Sequence, residues 1–118
     1  VIIVLPGERP VSWNKLYSGM HWGDRKDLAT TLHELVFYAI REETAEPVMY
    51  EKRVRITVRA YFKNRPLDPC NIPAKIYIDG LIGVLIEDDS MKYVAGVTTE
   101  SYIDKDRPRV EVEIVEES

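Results

Sequence analysis

Cysteine is nearly absent from this chain. Cys70 stands alone among 118 residues, so no internal disulfide can form and no zinc framework can be built, which suits a reducing compartment. Histidine is almost as scarce: His21 and His33 lack a second histidine or a cysteine at metal-binding spacing. His33 falls inside a helical pattern and reads as structural, while His21-Trp22 sits in a loop where it can either stack on a substrate or pack locally. Long apolar runs are missing too. Nothing approaches the roughly 20 residues of a membrane span, and Val1 to Leu5 is too short for the apolar part of a signal peptide, so the chain reads as soluble and intracellular. A Gly-rich phosphate loop is lacking, as is any supported Ser-His-Asp order, which removes nucleotide-hydrolysing and acyl-transfer classes and any nucleotide cofactor. Basic excess is lacking as well. Sixteen Lys and Arg face twenty Asp and Glu, for a net charge of -4, the reverse of the usual nucleic-acid binder. Net charge hides distribution, however, and acids gathered at a metal site or along the C-terminal tail can coexist with a local basic face.

What is present suffices for one core. With 45% hydrophobic and 31% charged residues, the chain is neither disordered nor low in complexity, and its length suits a single domain over residues 1–118. Val1 to Leu5 is a short apolar run closed by Pro6-Gly7, the pattern of a strand ending in a turn. Residues 8 to 23 show no period but carry Pro10, Ser12, Trp13, Asn14, Tyr17 and His21-Trp22, and a loop of that length with aromatics suggests function. Asp24 is suited to cap a helix in which Leu28, Leu32, Leu35, Val36, Ala39 and Ile40 recur at helical spacing, ending before Pro47.

From Arg53 the period becomes two. Val54, Ile56, Val58, Ala60 and Phe62 point one way and Arg53, Arg55, Thr57, Arg59 and Tyr61 the other, which predicts a half-buried strand. A turn around Pro66 leads into a second helix with Asn71 as cap and Pro73 in its first turn, weakening near Gly83. An acidic turn, Glu87-Asp88-Asp89, precedes a strand from about Met91 to Thr99. A turn from Asp104 to Pro108 then precedes a last strand in which Val110, Val112 and Ile114 alternate with Glu111 and Glu113. The order β, α, β, α, β, β predicts an α+β fold, a mixed sheet of about four strands packed against two helices.

Two constellations carry chemistry. On one continuous helix Asn71, Lys75 and Asp79 form a polar stripe between apolar flanks, which is not how a solvent-facing helix face looks. With Asp68 just before and Asp88-Asp89 just after, three or more carboxylates and one lysine can gather around one point. Crowded carboxylates repel unless a cation neutralises them, and Mg²⁺ with one or two carboxylate ligands is the economical answer for phosphodiester chemistry, with Lys75 stabilising developing charge. Cys70 lies among these acids, but a thiolate suits softer metals. The plainer reading is an i,i+4 pair of Lys75 with Asp79 beside a solvated acidic turn. The second constellation is Arg53, Arg55 and Arg59, with Lys52, Lys63 and Arg65 nearby. These residues form either a phosphate-contacting surface or one set of partners in cross-strand ion pairs with Glu111 and Glu113.

At these residues the chain resembles the RusA family of Holliday junction resolvases, small dimeric Mg²⁺-dependent endonucleases often encoded by phages and prophages. The likeness runs over nearly the whole length. It comprises an early strand ending in Leu-Pro, the segment Pro10-Val11-Ser12-Trp13-Asn14-Lys15-Leu16-Tyr17, a long helix and a strand, Asp68-Pro69-Cys70-Asn71, Lys75, Asp79-Gly80-Leu81, and Asp88-Asp89. The resemblance implies that Asp68 and Asp89 hold Mg²⁺ and that Lys75 lies near the scissile phosphate. Asn71, Asp79 and Asp88 would support the site, and Asn14 and Lys15 would join the basic residues in contacting DNA. It also implies a homodimer in a bacterial cytoplasm that nicks symmetrically related strands of a four-way junction. There are two departures. The second motif aspartate is Cys70 here, and one extra residue separates Asn71 from Lys75, so one anionic ligand is lost unless Asp79 or Asp88 replaces it.

Overall fold

The computed structural model describes residues 1–117. Strand β1 (Ile2–Pro6) leads through a π-helical turn (Lys15–Gly19) into helix α1 (Trp22–Glu43), then strand β2 (Val54–Phe62). A 3₁₀ turn (Pro69–Asn71) and a short helix α2 (Ala74–Asp79) follow, and strands β3 (Val94–Ile103) and β4 (Arg109–Glu116) complete the chain. The strands form one mixed sheet in the order β1-β4-β2-β3, antiparallel except for the parallel β2/β3 pair. This is the expected α+β class.

Alternation sorts the sheet into two faces. Val54, Ile56, Val58, Ala60 and Phe62 are buried, and so are their neighbours Val110, Val112 and Ile114 on β4 and Ile3 and Leu5 on β1. Against this inner face α1 lays Leu32, Val36, Ala39 and Ile40. Leu35, expected in the same stripe, is 42% exposed, because the buried face centres on Leu32 and Val36 and leaves Leu35 at its margin.

Helix boundaries depart from expectation for local reasons. His21, not Asp24, caps α1: its Nδ1 accepts from the Gly23 N–H at 3.1 Å. Asp24 lies in the first turn, where a carboxylate offsets the positive helix end. The second helix does not start at Asn71 or reach Gly83. Pro73 has no N–H and pushes the preceding residue out of helical geometry, and Ile72 is accordingly extended, at φ -83° and ψ 123°. The chain therefore makes a 3₁₀ turn, breaks, and restarts as six helical residues. Beyond Asp79 a compact turn, bridged between Ile82 and Ile86, carries the chain to the acidic stretch.

Residues 90 to 93 form a turn, so β3 begins at Val94 and extends past Thr99 to Ile103. As an edge strand it pairs only with β2, and the 3₁₀ turn packs against it. Register with β2 places Val94, Val97 and Thr99 on the inner face, yet Val97 remains 48% exposed. The short second helix covers this edge incompletely, and the uncovered part is a groove.

Candidate functional site

The groove encloses about 410 Å³. Its floor is β3 at Val94, Val97 and Thr99, its wall is the 3₁₀ turn and α2 at Cys70, Ile72 and Ile78, and Lys75, Asp89 and Trp13 also line it. The body is apolar and the charge sits on two of its lining residues.

Lys75 is held by two acids. Its Nζ donates to Asp79 Oδ1 and Asp89 Oδ2, each at 3.2 Å. One of these pairs is the i,i+4 contact that helical spacing offers; the other joins residues 14 apart and needs the turn after α2. The hydrogen bond that Lys75 donates to Asp89, followed by the one it donates to Asp79, raises its pKa above the ordinary value. Two carboxylates around one ammonium leave the cluster with a net negative charge, next to exposed Glu87 and Asp88. Such a cluster attracts a further cation.

Gly80 explains how α2 is seated. A Cβ there would lie 2.9 Å from Val36 Cβ and 3.0 Å from its Cγ1, so only glycine lets the end of α2 approach α1 this closely. That contact fixes Asp79, one residue earlier, and with it the anchor of Lys75.

The remaining expected site residues fall into three groups. Asp68 opens the 3₁₀ turn two residues before Cys70, exposed, with its backbone carbonyl accepting from Asn71 N–H. Among the described residues no three His, Cys, Asp or Glu side chains converge as a metal cluster. The two acids joined through a shared partner are Asp79 and Asp89, both bonded to Lys75. Asn71 does not extend a helical stripe with Lys75; its Oδ1 accepts the Asn14 backbone N–H at 3.3 Å. That bond ties the Pro10 to Tyr17 segment to the groove wall, leaving Trp13 at the groove and packed against Tyr17 at 4.4 Å between ring centroids. Lys15, the first residue of the π-helical turn, is exposed. Asp88 is exposed in the acidic turn.

The basic strand face is internally compensated. Arg59 binds Glu100 at 2.9 Å and also Glu113, Arg53 binds Glu117 at 2.8 Å, and Arg55 reaches the same Glu117 at 3.6 Å. Arg109, which sequence reasoning did not single out, takes Glu111 and Asp104 and caps the Tyr61 ring at 3.9 Å, and Tyr61 stacks on Tyr102. The outer face is therefore an ion-pair ladder: Glu113 pairs across strands with Arg59 as expected, while Glu111 pairs with Arg109 rather than with Arg53, Arg55 or Arg59. Lys63 and Arg65 are not part of it. They lie beyond β2 in a separate cleft with Arg9, another residue the sequence did not mark.

A Mg²⁺ ion asks for one or two carboxylates and keeps its remaining positions for water and substrate oxygen. Two carboxylates that already share a cation, one of them, Asp89, lining the open groove, fit that minimum; the Cys70 thiol does not add to it. No protein-family model matches the chain, and no curated protein matches it.

Proposed function

We propose that this chain is a divalent-metal-dependent endodeoxyribonuclease that resolves four-way DNA junctions by paired symmetric nicks in recombination and repair, as its resemblance to the RusA family implies. One observation carries the reading: the motif segments, far apart in sequence, meet at one groove, with Lys75 between Asp79 and Asp89, and Asn14 bonded to Asn71. Asp89 would hold Mg²⁺ with Asp79, and Asp68 stands at the start of the adjoining turn as the further carboxylate. When bound, the ion supplies Lewis-acid polarisation of a phosphodiester. Lys75 contributes a fixed positive charge toward a phosphate oxygen, exchanging one of its carboxylate partners for it. Asp88 and Asn71 support the site, Asn71 by holding Asn14 and the neighbouring Lys15 beside the groove. Two cuts related by symmetry require two sites related by a twofold axis, hence a homodimer. The helices present give no membrane span.

The test is labelled four-way junction DNA incubated with Mg²⁺. Wild type should nick symmetrically related strands and Asp89→Asn should bind without cutting; equal inactivity of both variants refutes the enzyme, and normal cutting by Asp68→Asn removes that residue from the ligands. A second reading draws on Cys70, which lines the groove where the family carries a carboxylate: a junction-binding protein with impaired catalysis. Binding without cutting selects it. A third, an acidic protein-interaction subunit, draws on the charge-compensated outer face, and steeply salt-dependent junction binding excludes it.

A further inference from the structure

A second cleft, of about 500 Å³, lies at the other end of the β2/β3 pair, between the exit of β1 and the turn that follows β2. Arg9, Lys63 and Arg65 line it, together with Glu8, Tyr61 and Phe62. Its charge is organised differently from the outer face of the sheet. Arg53, Arg55, Arg59 and Arg109 each hold a carboxylate, whereas among the described residues none of Arg9, Lys63 and Arg65 is ion paired. Glu8, the one acid in the cleft, is engaged by the Tyr77 hydroxyl at 2.9 Å.

The arrangement is built. The Arg9 guanidinium donates to the carbonyls of Asn64 at 3.2 Å and Arg65 at 2.9 Å and lies over the Phe62 ring at 5.1 Å. A guanidinium has five N–H donors, so with two engaged three stay available for an anion. Those two bonds also hold the backbone of Arg65 at φ 45°, the one non-glycine residue with positive φ among the described residues. A side chain in that region costs free energy and persists only where its surroundings enforce it. Here the enforced turn keeps Lys63 and Arg65 in the cleft beside the two carbonyls that Arg9 grips. Three cations against the single acid Glu8 make this concavity basic in an otherwise acidic chain and offer a site for a tetrahedral polyanion, which guanidinium groups bind in forked pairs.

We infer that this cleft is a second phosphate site, holding a backbone phosphodiester of the bound nucleic acid away from the cleavage groove; the inference rests on the nuclease reading above. The cleft lies at the Tyr61 and Phe62 end of β2, whereas the groove follows β3 from Val94 to Thr99, partnered by Val54 to Val58, so the two concavities occupy separate stretches of the same strand pair.

The experiment measures binding of a labelled four-way junction by fluorescence anisotropy between 50 and 300 mM NaCl, in EDTA so that no cutting occurs, on wild type, Lys63→Gln/Arg65→Asn and Arg59→Gln. Neither Lys63 nor Arg65 makes a side-chain hydrogen bond or ion pair among the described residues, so the double variant should unfold at the wild-type temperature. Its log K against log salt slope should fall by about 2 and its affinity on the order of 50-fold near 0.1 M salt, while Arg59→Gln keeps the wild-type slope. An unchanged slope in the double variant, with wild type still cutting junctions in Mg²⁺, overturns the cleft alone. Equal loss of slope in Arg59→Gln moves the phosphates to the outer face and likewise overturns it. Wild type that neither binds nor cuts junction DNA overturns the nuclease reading and the cleft together. Inorganic phosphate bound in the cleft without a change in DNA slope also counts against it.

Discussion

Replacing Gly80 with alanine tests how the site is held. Gly80 sits at φ -71° and ψ -15°, ordinary right-handed helical geometry, so alanine meets no backbone strain there. On that ground alone the substitution should stabilise the protein by about 0.4–1 kcal/mol through the unfolded chain. Packing opposes it. The added Cβ would meet Val36 Cβ at 2.9 Å, Cγ1 at 3.0 Å and Cγ2 at 3.2 Å, well inside the 3.5–4.0 Å optimum for carbon pairs. Val36 is fully buried in the α1 core stripe and is branched at Cβ, so no rotamer removes the nearest contact. Overpacking costs about 1–3 kcal/mol, and contact with a buried Cβ that cannot rotate away puts it in the upper half, about 2–3 kcal/mol, leaving a net destabilisation of about 1–2.5 kcal/mol, or roughly 4–12 °C in Tm for a domain of this size. Urea and thermal unfolding followed by circular dichroism measure it, with an unchanged urea m-value showing that stability alone has shifted. Pairing the change with Val36→Ala, which removes both Cγ atoms, should cost less than the sum of the single changes. A Gly80→Ala protein as stable as wild type would refute the idea that close approach of α2 to α1 requires glycine.

Lys75→Gln removes the cation shared by Asp79 and Asp89. Because the pair is exposed, Tm should move by no more than about 2 °C, while Mg²⁺-dependent junction cleavage should fall by about 10²–10³ with binding retained; undiminished cleavage removes Lys75 from the reaction. Tyr77→Phe deletes the hydroxyl that donates to Glu8 and should destabilise by about 1–2 kcal/mol in chemical denaturation near pH 7. Burial already raises the Glu8 pKa and the Tyr77 hydrogen bond lowers it, so the variant's carboxyl should titrate higher still. Folded Glu8 then holds its proton more tightly than unfolded Glu8, and the variant's stability should fall as pH rises through the range just above ordinary carboxylates; a flat difference from wild type between pH 4 and 7 contradicts this. Asp104 behaves oppositely. Hydrogen bonds from Arg109, then from the backbone of Arg107 and Asp106, hold its pKa below the ordinary value, so its stabilising contribution is present above the unfolded carboxyl's pKa and is lost as pH falls through the lower folded one. Carboxyl-detected NMR titration should show the low value in wild type, and Arg109→Gln should raise it.

Much of the fold was legible because burial imposes a period. The alternation from Val54 to Phe62 and the helical spacing of Leu28, Leu32, Leu35, Val36, Ala39 and Ile40 are one-dimensional records of a face turned inward; the strand face lies where the spacing places it, and the helix face does so except at Leu35, with Leu28 only partly covered. Boundaries were less legible because they depend on single hydrogen bonds: the His21 ring begins α1 ahead of Asp24, and Pro73 splits one expected helix in two. The candidate site divides the same way. Lys75 and Asp79 follow from i,i+4 spacing, but the contact with Asp89 is made by the turn after α2, and Asn71 is diverted to the loop at Asn14.

By itself the amino-acid sequence determined the mixed α+β class, most inward residues of β2, β4 and α1, and the i,i+4 pair of Lys75 with Asp79, since these are properties of spacing and side-chain chemistry along a chain. Only the tertiary structure decided which charges neutralise one another. It paired Arg59 with Glu100 and Glu113, joined Asp89 to Lys75, and left Arg9, Lys63 and Arg65 together in one cleft. An ion pair depends on a few ångströms between residues that can be 50 or more positions apart, a separation set by strand order and register, which the periodicity of a single strand does not encode.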